Sequence, residues 1–104
     1  MWLILHLYIF LYTKCAQTTI NIMYHLYILL SKKTSNYYIG STGNIDDRII
    51  RHNSGRSKST TSGIPWLLVY SEEFESRSEA IHREMEIKGW KSHQRITNLI
   101  QSHL

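Results

Sequence analysis

The sequence predicts a small α+β domain: a three-stranded antiparallel sheet flanked by helices, in the order β-β-α-β-α-α. Three observations predict it. Two β-branched and aromatic runs, Leu26–Ser31 and Tyr37–Thr42, are joined by a polar connector short enough only for a hairpin. A third and more apolar run, Trp66–Tyr70, follows Pro65. Capping residues Asn44 and Ser76 open stretches with helical spacing, and a last amphipathic stretch closes the chain.

Composition narrows the class of function. A chain of 104 residues has room for one domain. Its 42% apolar content excludes wholesale disorder, although the core must be small. One cysteine excludes an internally disulfide-stapled scaffold and a multi-cysteine zinc cluster. A net charge of +4 leans modestly toward an anionic partner.

Residues 1–22 carry a single charge, Lys14, and Trp2–Tyr12 is almost continuously apolar. That run is too short to span a bilayer, which takes about 20 residues. It lacks the positive start of a secretory signal, and Thr13-Lys14-Cys15-Ala16 is a poor cleavage site. Its composition suits a strand or a helix equally. Met23 reads as a natural start, so residues 1–22 are expected to lie outside the fold, with an over-long gene start as one explanation. The domain is then residues 23–104. His6–Leu11 echoes His25–Leu30, but one pair is not a repeat array. The expected compartment is the cytoplasm, with no stable membrane span; an interfacial anchor at Trp2–Tyr12 is the alternative.

Within the domain, Ser31–Asn36 turns the hairpin and Gly43-Asn44 punctuates its end. Asn44 caps the first helix, and Asp46 and Asp47 sit where the helix dipole favours negative charge. Ile45, Ile49 and His52 recur at helical spacing, and Asn53-Ser54-Gly55 ends the helix. Residues 54–63 read as a small, basic, flexible loop. Ser76-Arg77-Ser78-Glu79 forms a capping box for a helix to about Lys88, with Gly89 as its end. The last helix covers roughly Ser92–Ser102 and uses Ile96, Leu99 and Ile100.

Four features point to chemistry. Tyr27 and Tyr38 flank the hairpin turn. If Tyr27 opposes Gly40 and Leu29 opposes Tyr38, both phenols share a face; a one-residue slip splits them unless a bulge intervenes. Most strand tyrosines only pack. A phenol acting as base also needs help, because ionising it at pH 7 costs about 4 kcal/mol. Arg48 shares a helix face with His52 and the apolar Ile45 and Ile49, which aims it over the sheet edge rather than into solvent. Its planar fork suits phosphate; an arginine stem lying on apolar neighbours is the plain alternative. Glu84 falls in the expected inward stripe of Ala80, Ile81, Met85 and Ile87, with Glu79 and Glu86 on the flanks. A carboxylate there needs a partner, either Lys88 at i+4 or a metal. One carboxylate with substrate oxygens and waters is the usual way to hold Mg²⁺. Gly40 marks a close approach within a strand and, beside two tyrosines, leaves room for a phosphate chain.

Taken in order, these residues form a pattern. His25-Leu26-Tyr27-Ile28-Leu29-Leu30-Ser31 is followed by Tyr37-Tyr38-Ile39-Gly40-Ser41-Thr42, then by Asp47–Asn53, Pro65–Tyr70, and Ala80–Glu84 running into Lys88-Gly89-Trp90-Lys91. The sequence thereby resembles the GIY-YIG nuclease superfamily over about residues 23–102. The nearest likeness is to short stand-alone members related to the N-terminal domain of the excinuclease C subunit. His25-Leu26 replaces the Gly-Ile of the first motif, while its tyrosine is kept.

The resemblance implies metal-assisted hydrolysis of a DNA phosphodiester. Glu84 would hold Mg²⁺ or Mn²⁺, and Arg48 would stabilise the developing charge. Tyr27, with Tyr38 or His52, would orient and deprotonate the attacking water; which tyrosine is the base stays open. Arg56, Lys58, Lys88, Lys91 and Arg95 would contact the DNA backbone. Asn98 falls where some members carry an asparagine. No recognition helix is evident, so cleavage is expected to be structure-directed, with low sequence specificity and a protein partner for targeting. Roles in DNA repair, restriction or mobile elements are all compatible. A catalytically weak nucleic-acid-binding module of the same fold is the alternative.

Overall fold

The structure, a computed structural model, describes residues 22–104. The apolar run Trp2–Tyr12 and the echo at His6–Leu11 lie outside the described residues. The elements are β1 (Tyr24–Ser31), β2 (Tyr37–Thr42), α1 (Ile45–Asn53), a 3-10 helix (Lys58–Gly63), β3 (Trp66–Phe74), α2 (Arg77–Gly89) and α3 (His93–Gln101). The sheet order is β2-β1-β3, with β1 antiparallel to both neighbours. Among the described residues no helix is long and apolar enough to cross a membrane.

The hairpin closes on its own polar atoms. Ser31 Oγ accepts from the backbone N–H groups of Lys33 and Thr34, and Ser35 takes a positive φ of 63°. The register that follows sets Tyr27 opposite Gly40 and Leu29 opposite Tyr38, so both phenols project from one face. The central strand β1 is covered on both faces. Leu26 and Ile28 pack with Ile39, Tyr70, Ile87 and Ile96 beneath α2 and α3. Tyr27 and Leu29 pack with Trp66, Tyr38, Ile45 and Ile49 beneath α1.

The helices start where their caps place them: the Asn44 side chain accepts from Asp47 N–H, and Ser76 Oγ from Glu79 N–H. Three expectations are corrected. The strand Trp66–Tyr70 continues to Phe74, because Ser71–Phe74 keep pairing with Tyr24–Tyr27. There Glu72 and Glu73 sit on a sheet edge that tolerates charge. In α2, Ala80 and Ile87 are fully buried, but Ile81 and Met85 are 39% and 67% exposed. The inward face is therefore Ala80, Glu84 and Ile87, at i, i+4 and i+7. Residues 54–63 are not a loose loop. Lys58–Gly63 form the 3-10 helix, and Thr60 and Gly63 are buried. Ser31 Oγ donates to Gly63 O at 2.6 Å and Trp66 Nε1 to Thr60 O at 2.8 Å, fastening the segment to the sheet.

Candidate active site

Tyr27 leaves the central strand on the α1 face, 2% exposed. Its ring lies across Gly40: a Cβ at that position would stand 2.6 Å from Tyr27 Oη. The room that the sequence assigns to a phosphate chain is thus filled by the phenol itself. Tyr38, two residues before Gly40 on the same face, has its ring centroid 6.1 Å from that of Tyr27 and 4.6 Å from that of His52.

His52, on the last turn of α1, is 2% exposed and meets Tyr27 directly, with 3.0 Å between Oη and Nε2. Its Nδ1 lies 2.9 Å from Thr60 Oγ1. Burial raises the Tyr27 phenol above its ordinary value; Tyr38 adds to this, Arg48 opposes it, and Glu84 makes a small contribution upward. Burial also lowers His52, reinforced by the charges of Arg48 and Arg51. Both groups are therefore neutral in the free protein at neutral pH.

A prediction follows for stability. The unfolded chain takes up a proton on His52 near the ordinary value of 6.5, while the folded chain resists. The His52 contribution to stability is then flat above about pH 7 and declines as pH falls through 6.5 toward the lower folded value. In His52→Gln this part of the pH dependence disappears. Urea midpoints of both proteins across that range check it, and parallel curves would refute it.

Arg48 and Glu84 come from opposite sides of the sheet, and each reaches β2: Arg48 at the cavity beside Ser41 and Thr42, Glu84 through the Ser41 hydroxyl. Arg48 lines a cavity of about 250 Å³ together with Ser41, Thr42, Gly43, Ala80 and Arg77. Ser41 projects to the α2 side and donates to Glu84 Oε1 at 2.6 Å. Glu84 Oε2 accepts from Lys88 Nζ at 2.6 Å, the i+4 pair anticipated from the sequence. Lys88 thus pairs with Glu84 while its side chain stays 51% exposed. Among the described residues neither Arg48 nor Arg77 forms an ion pair, so two guanidiniums face this cavity without a carboxylate between them. A larger groove of about 660 Å³ lies between the end of β3 and α2. It carries Glu73, Glu75, Glu79 and Glu86, the wrong sign for a phosphate backbone.

The remaining basic residues are dispersed. Arg56 and Lys58 are exposed after α1, with Arg56 Nε on Ser54 Oγ at 3.1 Å. Lys91 and Arg95 are exposed at the α2–α3 junction, where Arg95 lies 4.3 Å over the Trp90 ring. Asn98 is exposed and accepts from Gln94. Ser41, Thr60 and Arg77 were not singled out by sequence. Ser41 carries a signal, since it directly follows Gly40 on a strand edge; the sequence presents Arg77 only as part of a capping box, and Thr60 carries none.

As to a divalent cation, no group of three or more His, Cys, Asp or Glu side chains is gathered among the described residues, so they form no all-protein cage. Glu84, a single half-buried carboxylate beside a cationic cavity, fits the other arrangement, in which substrate oxygens and water complete the shell.

A tyrosine pair on a hairpin, an arginine on the next helix and a glutamate on the helix after the third strand define a GIY-YIG catalytic domain, a nuclease-type fold. The model of that family, described as the GIY-YIG catalytic domain, matches residues 23–97, and the chain belongs to this family. Within it the chain is similar to short stand-alone proteins of the UPF0213 group. UPF0213 protein SH2523 of Staphylococcus haemolyticus is 40% identical over 69% of this chain and 89% of its own length. UPF0213 protein CPE1444 of Clostridium perfringens is 41% identical over 71% of this chain and 80% of its own. The solution NMR structure of UPF0213 protein BH0048 from Bacillus halodurans is 34% identical, with a TM-score of 0.49, covering 76% of this chain and 83% of that one.

Proposed function

We propose that the protein is an endonuclease that hydrolyses DNA phosphodiester bonds with Mg²⁺ or Mn²⁺, directed by DNA structure more than by sequence. The observation that carries this reading is the pairing of the buried Tyr27–His52 contact with an unpaired Arg48 at the cavity beside Glu84. A cation held on Glu84 supplies Lewis-acid polarisation of the phosphate and charge compensation at the leaving oxygen.

The protein's own groups account for the rest. Arg48 donates two hydrogen bonds to the scissile phosphate and stabilises the charge that grows there. Tyr27 orients the attacking water and takes its proton, with His52 behind it. Hydroxide adds to phosphorus, the bond to the 3′ oxygen breaks, and that oxygen gains a proton from solvent. Tyr38 packs against both Tyr27 and His52 and walls that pair. Arg77, sharing the cavity with Arg48, holds a neighbouring phosphate.

The deciding experiment is incubation of the full chain with Mg²⁺ or Mn²⁺ and hairpin, flap, nicked and junction DNA. Metal-dependent cuts support the proposal. One observation favours a second reading, a module that holds DNA without cutting it: both oxygens of Glu84 already have protein partners. Binding without cleavage, equal in Glu84→Ala, would select it. The role of Arg77 predicts that Arg77→Ala weakens binding alike across DNA sequences. It should also reduce the slope of log affinity against log salt by about one unit, read by fluorescence anisotropy. An unchanged slope would remove Arg77 from the interface.

A further inference from the structure

His52 is held at both nitrogens, and the two contacts are not equivalent. Nε2 faces the Tyr27 hydroxyl at 3.0 Å and Nδ1 faces Thr60 Oγ1 at 2.9 Å. The Thr60 hydroxyl has a second neighbour, the Ser57 carbonyl, at 3.2 Å. A carbonyl only accepts, so a Thr60 proton directed at Ser57 leaves Oγ1 to accept from His52 Nδ1–H. Nε2 then carries no proton and accepts from Tyr27 O–H. In this arrangement each proton of the buried chain has an acceptor. The reverse arrangement turns the Thr60 proton away from the Ser57 carbonyl and the Tyr27 hydroxyl proton toward the neighbouring Tyr38. Desolvation together with Arg48 and Arg51 disfavours the doubly protonated ring.

We infer that Thr60 is a positioning residue: from the 3-10 helix it fixes the proton of His52 on Nδ1 and so leaves Nε2 to receive the hydroxyl proton of Tyr27. Thr60 touches no substrate. It is 2% exposed, on a segment anchored through Trp66 Nε1 and Ser31 Oγ, so the hydroxyl is held in place by the sheet. Resting on the nuclease reading, the inference gives the phenol somewhere to send its proton as it takes one from water. The water proton goes to Tyr27 Oη, the phenol proton goes to His52 Nε2, and the other ring proton stays on Nδ1, donated to Thr60 Oγ1; the charged ring so formed is transient and passes its extra proton to solvent after cleavage.

The test is the tautomer itself, from imidazole ¹⁵N–¹H correlation spectra of the full chain without metal or DNA at neutral pH. Wild type and Thr60→Ser should carry the His52 proton on Nδ1. Thr60→Val, which keeps the volume and loses the hydroxyl, should move it to Nε2, and Thr60→Ala is the second deletion. A wild-type proton on Nε2 overturns the inference without any variant, and so does an unchanged tautomer in a folded Thr60→Val or Thr60→Ala. On DNA, Thr60→Val should cut about tenfold or more slowly with unaltered binding, and Thr60→Ser should retain the rate. If wild type cuts nothing, the nuclease reading fails while the tautomer assignment stands. If wild type cuts and Thr60→Val equals it, the positioning role fails alone.

Discussion

Arg48→Ala and Glu84→Ala are each expected to slow DNA cleavage by at least about a hundredfold while the domain stays folded. Removing one preorganised donor or charge from a site where transition-state charge develops costs about 3–4 kcal/mol. The fold depends little on either side chain. Arg48 has no ion-pair partner among the described residues. Glu84 pairs with a Lys88 that is 51% exposed, an interaction of roughly 1 kcal/mol or less. Thermal midpoints should accordingly move little, and anisotropy should show only modest changes in DNA affinity. Glu84→Gln sharpens the result, because it can keep the bond from Ser41 and loses only the charge. If Glu84→Gln cuts at the wild-type rate, the carboxylate has no role in catalysis.

Gly40→Ala is expected to destabilise the domain by about 2–4 kcal/mol, a large fraction of the stability of so small a protein. The added methyl would lie 2.6 Å from Tyr27 Oη and 2.7 Å from Cζ, inside any allowed contact. Neither party yields easily. The methyl is fixed rigidly to the backbone of β2, and the ring is packed with Leu29, Trp66 and Tyr38. Moving the ring also breaks its bond to His52, leaving buried polar atoms unpaired. A double-mutant cycle isolates the clash: in a Tyr27→Ala background the same substitution should cost little. Equal costs in both backgrounds would place the strain elsewhere.

The hairpin, the third strand and the capped helices were legible because their signals are local. The tyrosine pair was legible only up to its register, which the turn at Ser31–Asn36 fixes through side-chain oxygens. The inward face of α2 was legible at Ala80, Glu84 and Ile87, but hydrophobicity wrongly added Ile81 and Met85, which are apolar yet exposed. The helical period, rather than hydrophobicity, excludes those two from the stripe. The segment 54–63 was illegible for a different reason. Its order comes from bonds to Ser31, His52 and Trp66, distant partners that a run of Ser, Thr and Gly does not announce. Arg77 was hidden because a charged residue behind a capping serine already had a sufficient local explanation.

Tyr27 belongs to β1, the strand bonded on both sides, and not to a loop at the rim of the fold. Its amide is expected to be among the last to exchange with deuterated solvent, and the phenol to loosen only when the sheet itself opens. Heat inactivation should then coincide with global melting instead of preceding it. For the same reason, on the nuclease reading, a mutation that loosens the middle of the sheet is expected to lower activity through a loss of properly folded molecules, not through a softened site.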